Sequence, residues 1–184
     1  QYNRKLADLQ AVQEEIGREI TDKLRLKLTG EQKNSFARRQ TQNSEAYQDY
    51  LKGRYYWNKR TAAGLKTAIE HFEAAIAKDP TFALAHAGLA DSYAVFGVFA
   101  ALPPRECFPK ARAAALKALQ IDETLGEAYA VLAEVKVLYD LDWAGAERDF
   151  KRALELNPGY ATAHQWYALY LARIGRFNEA LAEI

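Results

Sequence analysis

Three histidines, one cysteine and 24 acidic side chains are the groups in this 184-residue chain that could do chemistry. His86 and His164 stand in two near-copies of one stretch, AIAKDPTFALAHAGLADSYAVFG (residues 75–97) and ALELNPGYATAHQWYALYLARIG (residues 153–175). Equivalent histidines in separate copies are carried apart by the copies between them, about 10 Å for every helix diameter. They cannot share a metal ion, and both read as packing residues. The single Cys107 excludes an internal disulfide and a cysteine zinc site, and no His is phased with it. The phosphate-binding pattern G-x-x-x-x-G-K-[ST], the dinucleotide pattern G-x-G-x-x-G, and the hydrolase patterns H-E-x-x-H and G-x-S-x-G are all missing. The carboxylates fall mostly on predicted helix exteriors, with no close acid pair. The expectation is a non-enzyme that needs no metal or cofactor.

What must position these residues follows from composition and period. About half of the chain is apolar, with 11 Tyr, 8 Phe and 3 Trp to fill a core. Ala, Leu, Glu, Lys and Arg dominate and favour helix. No apolar run is long enough to span a bilayer, and no signal-peptide pattern opens the chain. The sequence contains no Met, so a segment of a longer protein is expected. Charge is uneven. Residues 1–60 carry 13 Lys or Arg against 8 Asp or Glu, and residues 61–184 carry 12 against 16. A basic amino-terminal third could meet nucleic acid or acidic lipid, but a solvated helix face accounts for it as well.

A third copy, ALQIDETLGEAYAVLAEVKVLYD (residues 118–140), lies between the two, with Glu123 where the others hold Pro80 and Pro158. The spacings from Pro80 to Glu123 to Pro158 fit a period near 34 with nine extra residues, then one. The excess maps onto FAALPPRECFP, where Pro103, Pro104 and Pro109 are expected to break helix. One helix of each unit holds Ala68, Phe72, Ala75, Pro80, and again Ala146, Phe150, Ala153, Pro158. The middle unit varies this as Ala111, Ala115, Ala118, Glu123. The other helix holds a small residue in phase: Gly53, Ala90, Ala133, Ala168. This pattern resembles the tetratricopeptide repeat (TPR) family over residues 44–184. The resemblance implies an all-α fold, an α-α superhelical solenoid of helix-turn-helix repeats, divided at about 44–80, 81–123, 124–158 and an incomplete 159–184. Apolar stripes at helical spacing demand the same stacking, because a lone hairpin cannot bury both of its stripes. Phe72 and Phe150 are expected to fill the space between hairpins. The last repeat would leave an apolar face bare, so further repeats are expected downstream.

Residues 1–43 form the lead-in. Leu6, Leu9, Val12, Ile16, Ile20 and Leu24 step by three or four, predicting an N-terminal amphipathic helix that ends near Thr29-Gly30. A short helical piece or linker follows, and Asn43 or Ser44 can cap the first repeat helix. The stretch LADLQAVQEEIGREITDKLRLKLTGE, with YLKGRYYWNKRT after it, resembles the TolB-like/TPR region of bacterial signalling proteins. Their effector is a Ser/Thr kinase, an adenylate cyclase or a winged-helix regulator, and no part of one is present here.

In TPR arrays the first helix of each repeat lines the concave face. Counting from the small residue, the resemblance implies a peptide-binding groove of Tyr47, Tyr50, Arg54, Trp57, Asp91, Glu127, Glu134, Gln165, Leu169 and Arg173. Leu84, Ala87, Ala94, Ala130, Val137, Thr162 and Ala172 lie along the same stripe. Chaperone-binding members hold a Lys/Asn/Arg clamp for a carboxylate. Asp91 and Glu134 stand there instead, so no such clamp is expected. An aromatic end beside acidic and apolar patches suits a peptide or helix with basic and apolar groups. The aromatics could equally pack on the lead-in helix. The leading reading is a protein-interaction module of a bacterial regulatory protein. Its rivals are a purely structural spacer or self-association domain, and a nucleic-acid binder through Arg38, Arg39, Lys52, Arg54, Lys59 and Arg60. Nucleic acid is the less favoured partner. The compartment stays open between the cytoplasm and the outer part of a membrane-anchored protein.

Overall fold

The computed structural model describes residues 41–98 and 102–184, and the expected lead-in helix lies outside them. Among the described residues there are eight α-helices and no strand. They are α1 Ser44–Asn58, α2 Ala62–Lys78, α3 Ala83–Val98, α4 Pro104–Ile121, α5 Gly126–Val135, α6 Trp143–Leu156, α7 Ala161–Arg173 and α8 Phe177–Ala182. Consecutive helices pair as hairpins: α1 with α2, α3 with α4, α5 with α6, α7 with α8. Each hairpin packs on the next, and each odd-numbered helix also touches the next odd one, so the hairpins stack in register. No helix among the described residues is long and apolar enough to cross a membrane.

The turn between hairpins is written three times in hydrogen bonds. The backbone N–H groups of Asp79, Asp122 and Asn157 donate to the carbonyls of Ala75, Ala118 and Ala153 at 2.8–2.9 Å. Three residues on, the N–H groups of Phe82, Leu125 and Tyr160 donate back to the carbonyls of Asp79, Asp122 and Asn157. The Asp79 and Asp122 carboxylates also accept from the backbone N–H and hydroxyl of Thr81 and Thr124, a side-chain-closed turn. Glu123 can therefore stand where the other copies have Pro, because the preceding Asp carries the turn.

Starts are fixed locally. The Asn43 side chain accepts from the N–H groups of Glu45 and Ala46, so Asn43 rather than Ser44 caps α1. Thr61 and Asp142 cap α2 and α6 by accepting from Gly64 and Gly145. One expectation needs correcting. Pro103 and Pro104 do open α4, with Pro104 at its first position, where its missing N–H costs nothing. Pro109, however, lies inside α4 and does not break it. Burial of Cys107, Phe108, Ala111 and Ala115 on the same helix outweighs one lost backbone bond.

The core runs continuously along the stack, with Phe72 and Phe150 fully buried as its fillers. Phe72 lies against bare backbone: a Cβ on Gly53 would fall 2.7 Å from its ring and one on Gly88 2.5 Å. Glycine is thus required on both sides, on α1 of the same hairpin and α3 of the next. Helix α3 is enclosed by α1, α2, α4 and α5: Ala83, Ala90 and Ala94 on one face and Ala85 on the opposite one are all buried. Helix α5 continues into one π-helical turn, Lys136–Asp140, closed by Leu141 at φ +59°. An Arg112–Asp140 ion pair ties that turn to α4.

Candidate functional site

Four of the groove residues named from sequence converge on one cleft of about 120 Å³: Tyr50 and Arg54 from α1, Asp91 from α3 and Glu127 from α5. Leu84, Ala87 and Gly88 form its apolar wall, and Tyr160, just before α7, closes it. All four hairpins therefore contribute. The register stacking of odd helices brings this about, since these residues are far apart in the chain.

Asp91 is 2% exposed. Its Oδ2 accepts from the Tyr160 hydroxyl at 3.2 Å, and the Arg54 guanidinium stands 3.7 Å away. Its Oδ1 has no hydrogen-bond partner among the described residues. Burial pushes the Asp91 carboxyl up to about 6, against the pull of Arg54, Arg60 and Tyr160 and with the repulsion of Glu127. Burial likewise holds the Tyr50 hydroxyl at about 12, and it raises that of Tyr160 well above the ordinary tyrosine value, with Asp91 adding to the effect. Glu127 Oε1 accepts from the Asn157 side-chain amide at 2.8 Å, while its buried Oε2 is likewise unpartnered. An acid pair is thus present that the sequence does not display, because its members lie on different helices.

The other named residues go elsewhere. Tyr47 is buried against Tyr50 and Phe82. Trp57 is buried with the guanidinium groups of Arg54 and Arg60 over its ring, at 4.6 and 3.7 Å from the centroid. Glu134 is 3% exposed on α5, and burial lifts it to about 7 against the weaker pull of Arg173, an exposed residue at the end of α7. Gln165 and Leu169 line a second, open cleft of about 1020 Å³ between α7 and α8, with Ala168, Ala172, Phe177 and Leu181. Of the basic residues weighed for nucleic acid, Arg54 and Arg60 stack on Trp57, Lys59 lies over Tyr55 and Tyr56, and Lys52 pairs with Asp49. Arg38 and Arg39 lie outside the described residues.

His86 and His164 occupy one structural position twice, each with Nε2 donating to a turn carbonyl, that of Pro80 at 3.0 Å and of Pro158 at 2.9 Å. His71 stacks on Tyr56 and faces Asp49 at 3.3 Å. Among the described residues no group of His, Cys, Asp and Glu could hold a metal ion. Gly88 and Tyr160 are the members of the cleft that the sequence reading does not name; Tyr160 is the polar one. Its signal was in view, as the aromatic that follows Pro in both copies, with Phe82 as its counterpart, but the groove count began two residues too late.

No protein-family model matches the sequence, and no curated protein does. Solved structures do. The first TPR domain of human RPAP3, determined by NMR, superposes with a TM-score of 0.53 at 19% identity, over 75% of this chain and 93% of that one. The first TPR of Spaghetti (RPAP3), bound to the HSP90 peptide SRMEEVD, gives 0.52 at 20% identity, over 75% and 94%. The likeness is one of fold: the described residues form an all-α helical-repeat solenoid, the architecture these TPR domains share.

Proposed function

We propose that residues 44–184 are a non-catalytic protein-interaction module that binds a peptide or helix bearing basic and apolar groups. The observation that carries this is the cleft, which draws Tyr50, Arg54, Asp91 and Glu127 from successive repeats and leaves two carboxylate oxygens unpartnered. Buried acceptors without donors are costly, and a partner that supplies donors gains what the free protein lacks. The fold neighbour Spaghetti (RPAP3) is a precedent for a peptide bound to such an array. Its ligand SRMEEVD is acidic at its tail, whereas Asp91 and Glu127 here oppose an acidic ligand. The named groove would then be one acidic cleft, continued by Gln165 and Leu169 on an apolar ledge. The lead-in stretch LADLQAVQEEIGREITDKLRLKLTGE supports a bacterial regulatory protein as the setting.

Fluorescence anisotropy with labelled basic-apolar peptides and with SRMEEVD tests the reading. Saturable binding of the basic set is expected. Tighter binding of SRMEEVD would overturn it. A second reading, self-association, is favoured by one observation: Leu169, Phe177 and Leu181 are exposed together on the cleft between α7 and α8. Light scattering across a concentration series reads it directly.

A further inference from the structure

We propose that the cleft bounded by Tyr50, Asp91 and Glu127 is a socket for one lysine ammonium of the bound partner. This rests on the peptide-binding reading above and names the group the partner must carry. Charge is the first reason. Two carboxylates and one guanidinium line the cleft, a recess only partly open to water, while Arg60 acts on Asp91 from outside the lining. Arg54 stands 3.7 Å from Oδ2 and is held over the Trp57 ring, so it gives neither orphaned oxygen a hydrogen bond. Bound water could fill the space but would cancel no charge.

Acceptor geometry is the second reason. Asp91 Oδ1 and Glu127 Oε2 are both buried and without donors, on α3 and α5 respectively. Asp91 lines the cleft and is more than nine-tenths buried, so its orphaned oxygen carries its desolvation cost in full. A compact ammonium with three donors can serve oxygens arriving from two helices. A planar guanidinium prefers a single carboxylate edge and would also crowd Arg54. The walls of Tyr50, Leu84 and Ala87 suit the methylene stem of lysine, which buries well.

The cleft also predicts its own pH response. Asp91 must be ionised to bind a cation, and the groups facing it are Arg54 and Arg60 from the first hairpin, Glu127 from α5 and Tyr160 beside α7. With its carboxyl near 6, affinity should fall about tenfold between pH 7 and pH 5.

The probes are n-butylammonium, n-propylguanidinium and 1-butanol, titrated into the full chain by 15N-resolved NMR. An acetylated apolar peptide with one lysine, its norleucine version, and that version with a free amino terminus complete the set. Butylammonium should shift the Asp91, Glu127 and Tyr160 signals saturably, at least tenfold more tightly than butanol and more tightly than the guanidinium. Asp91→Asn should weaken it tenfold or more and flatten the pH response. Glu127→Gln, which keeps the bond from Asn157, should weaken it less, and the melting curve of each variant verifies folding. Equal shifts with butanol, preference for the guanidinium, or unchanged binding in Asp91→Asn would each overturn the socket, as would preference for the free amino terminus over lysine. If the lysine and norleucine peptides bind alike, the socket fails and the interaction module stands. If butylammonium titrates but no peptide binds, the module fails and the cation site stands.

Discussion

One repeat position, the residue after the small one, holds Arg54, Asp91, Glu134 and Leu169 in turn. Where hairpins stack on both sides, that position is ionic: Asp91 and Glu134 are buried carboxylates. On α7 the same position is an exposed leucine on the open apolar cleft beside α8. Burial usually attracts apolar residues and exposure polar ones. The interior acids run against that rule, and Asp91 has only the Tyr160 hydroxyl and the Arg54 guanidinium beside it to offset the cost of its burial. An array is therefore not a set of equal units; each position takes its meaning from its neighbours.

The interior should break hardest. Phe72→Ala removes the ring wedged between Gly53 and Gly88 and is expected to cost about 3–5 kcal/mol, read by denaturant unfolding. A loss below about 1 kcal/mol would sink this account of how the first two hairpins are joined. Gly88→Val attacks the same contact from the other side. It should cost about 1–3 kcal/mol, because a Cβ there lands on the ring.

The buried acids sharpen the comparison through pH. Glu134 in the folded chain titrates near 7, above the 4.5 of an ordinary glutamate. Between those values the folded chain still holds a proton that the unfolded chain has released. Stability therefore falls as pH rises through that window and stays lower above it. Glu134→Gln removes the penalty. It should raise the melting temperature at pH 8 by several degrees, on the order of 2 kcal/mol, and change it little at pH 5. A gain equal at both pH values would mean that the charge at Glu134 is not what costs.

The fold was legible because its signals are periodic. Phe72 and Phe150, the small residues Gly53, Ala90, Ala133 and Ala168, and the turn spacing each recur at fixed offsets, and each copy checks the others. The cleft was legible only in part. Tyr50, Arg54, Asp91 and Glu127 came from counting along the first helices, and they do meet. Trp57 and Tyr47 lie on the same count but are covered, one by two guanidiniums and the other by Phe82. A count along one helix shows neither how its own arginines fold back over an aromatic, as at Trp57, nor what a neighbouring segment lays over it, as Phe82 does at Tyr47. Tyr160 and Asn157 were missed for the opposite reason, since turn residues have no helical phase. Pro109 was misread because tertiary burial overrode a local rule.

The terminal cleft should give a smaller thermodynamic effect. Leu169→Ser and Leu181→Ser replace exposed residues, 48% and 74% open, and should move stability by less than about 0.5 kcal/mol. If self-association uses this face, the same changes lower the apparent mass at high concentration. A large stability loss would mean that the cleft is packed in solution.

The smallest expected effect is a pair of titrations. His86 and His164 make the same bond to the carbonyls of Pro80 and Pro158, so position alone predicts equal behaviour. Their settings differ. Burial depresses His86, with Lys117 adding to it. For His164 the Pro158 carbonyl and Glu183, whose carboxylate lies 2.7 Å from Nδ1, outweigh burial and raise it. NMR titration should find His164 above the ordinary histidine value and His86 below. The stability His164 contributes is full below the unfolded value of 6.5 and is lost as pH rises through its raised folded one. Glu183→Gln should lower His164 toward His86 and leave His86 unmoved. If both shift together, the two positions are coupled through the stack; if neither shifts, the difference comes from the deeper burial of His86 and Glu183 contributes nothing.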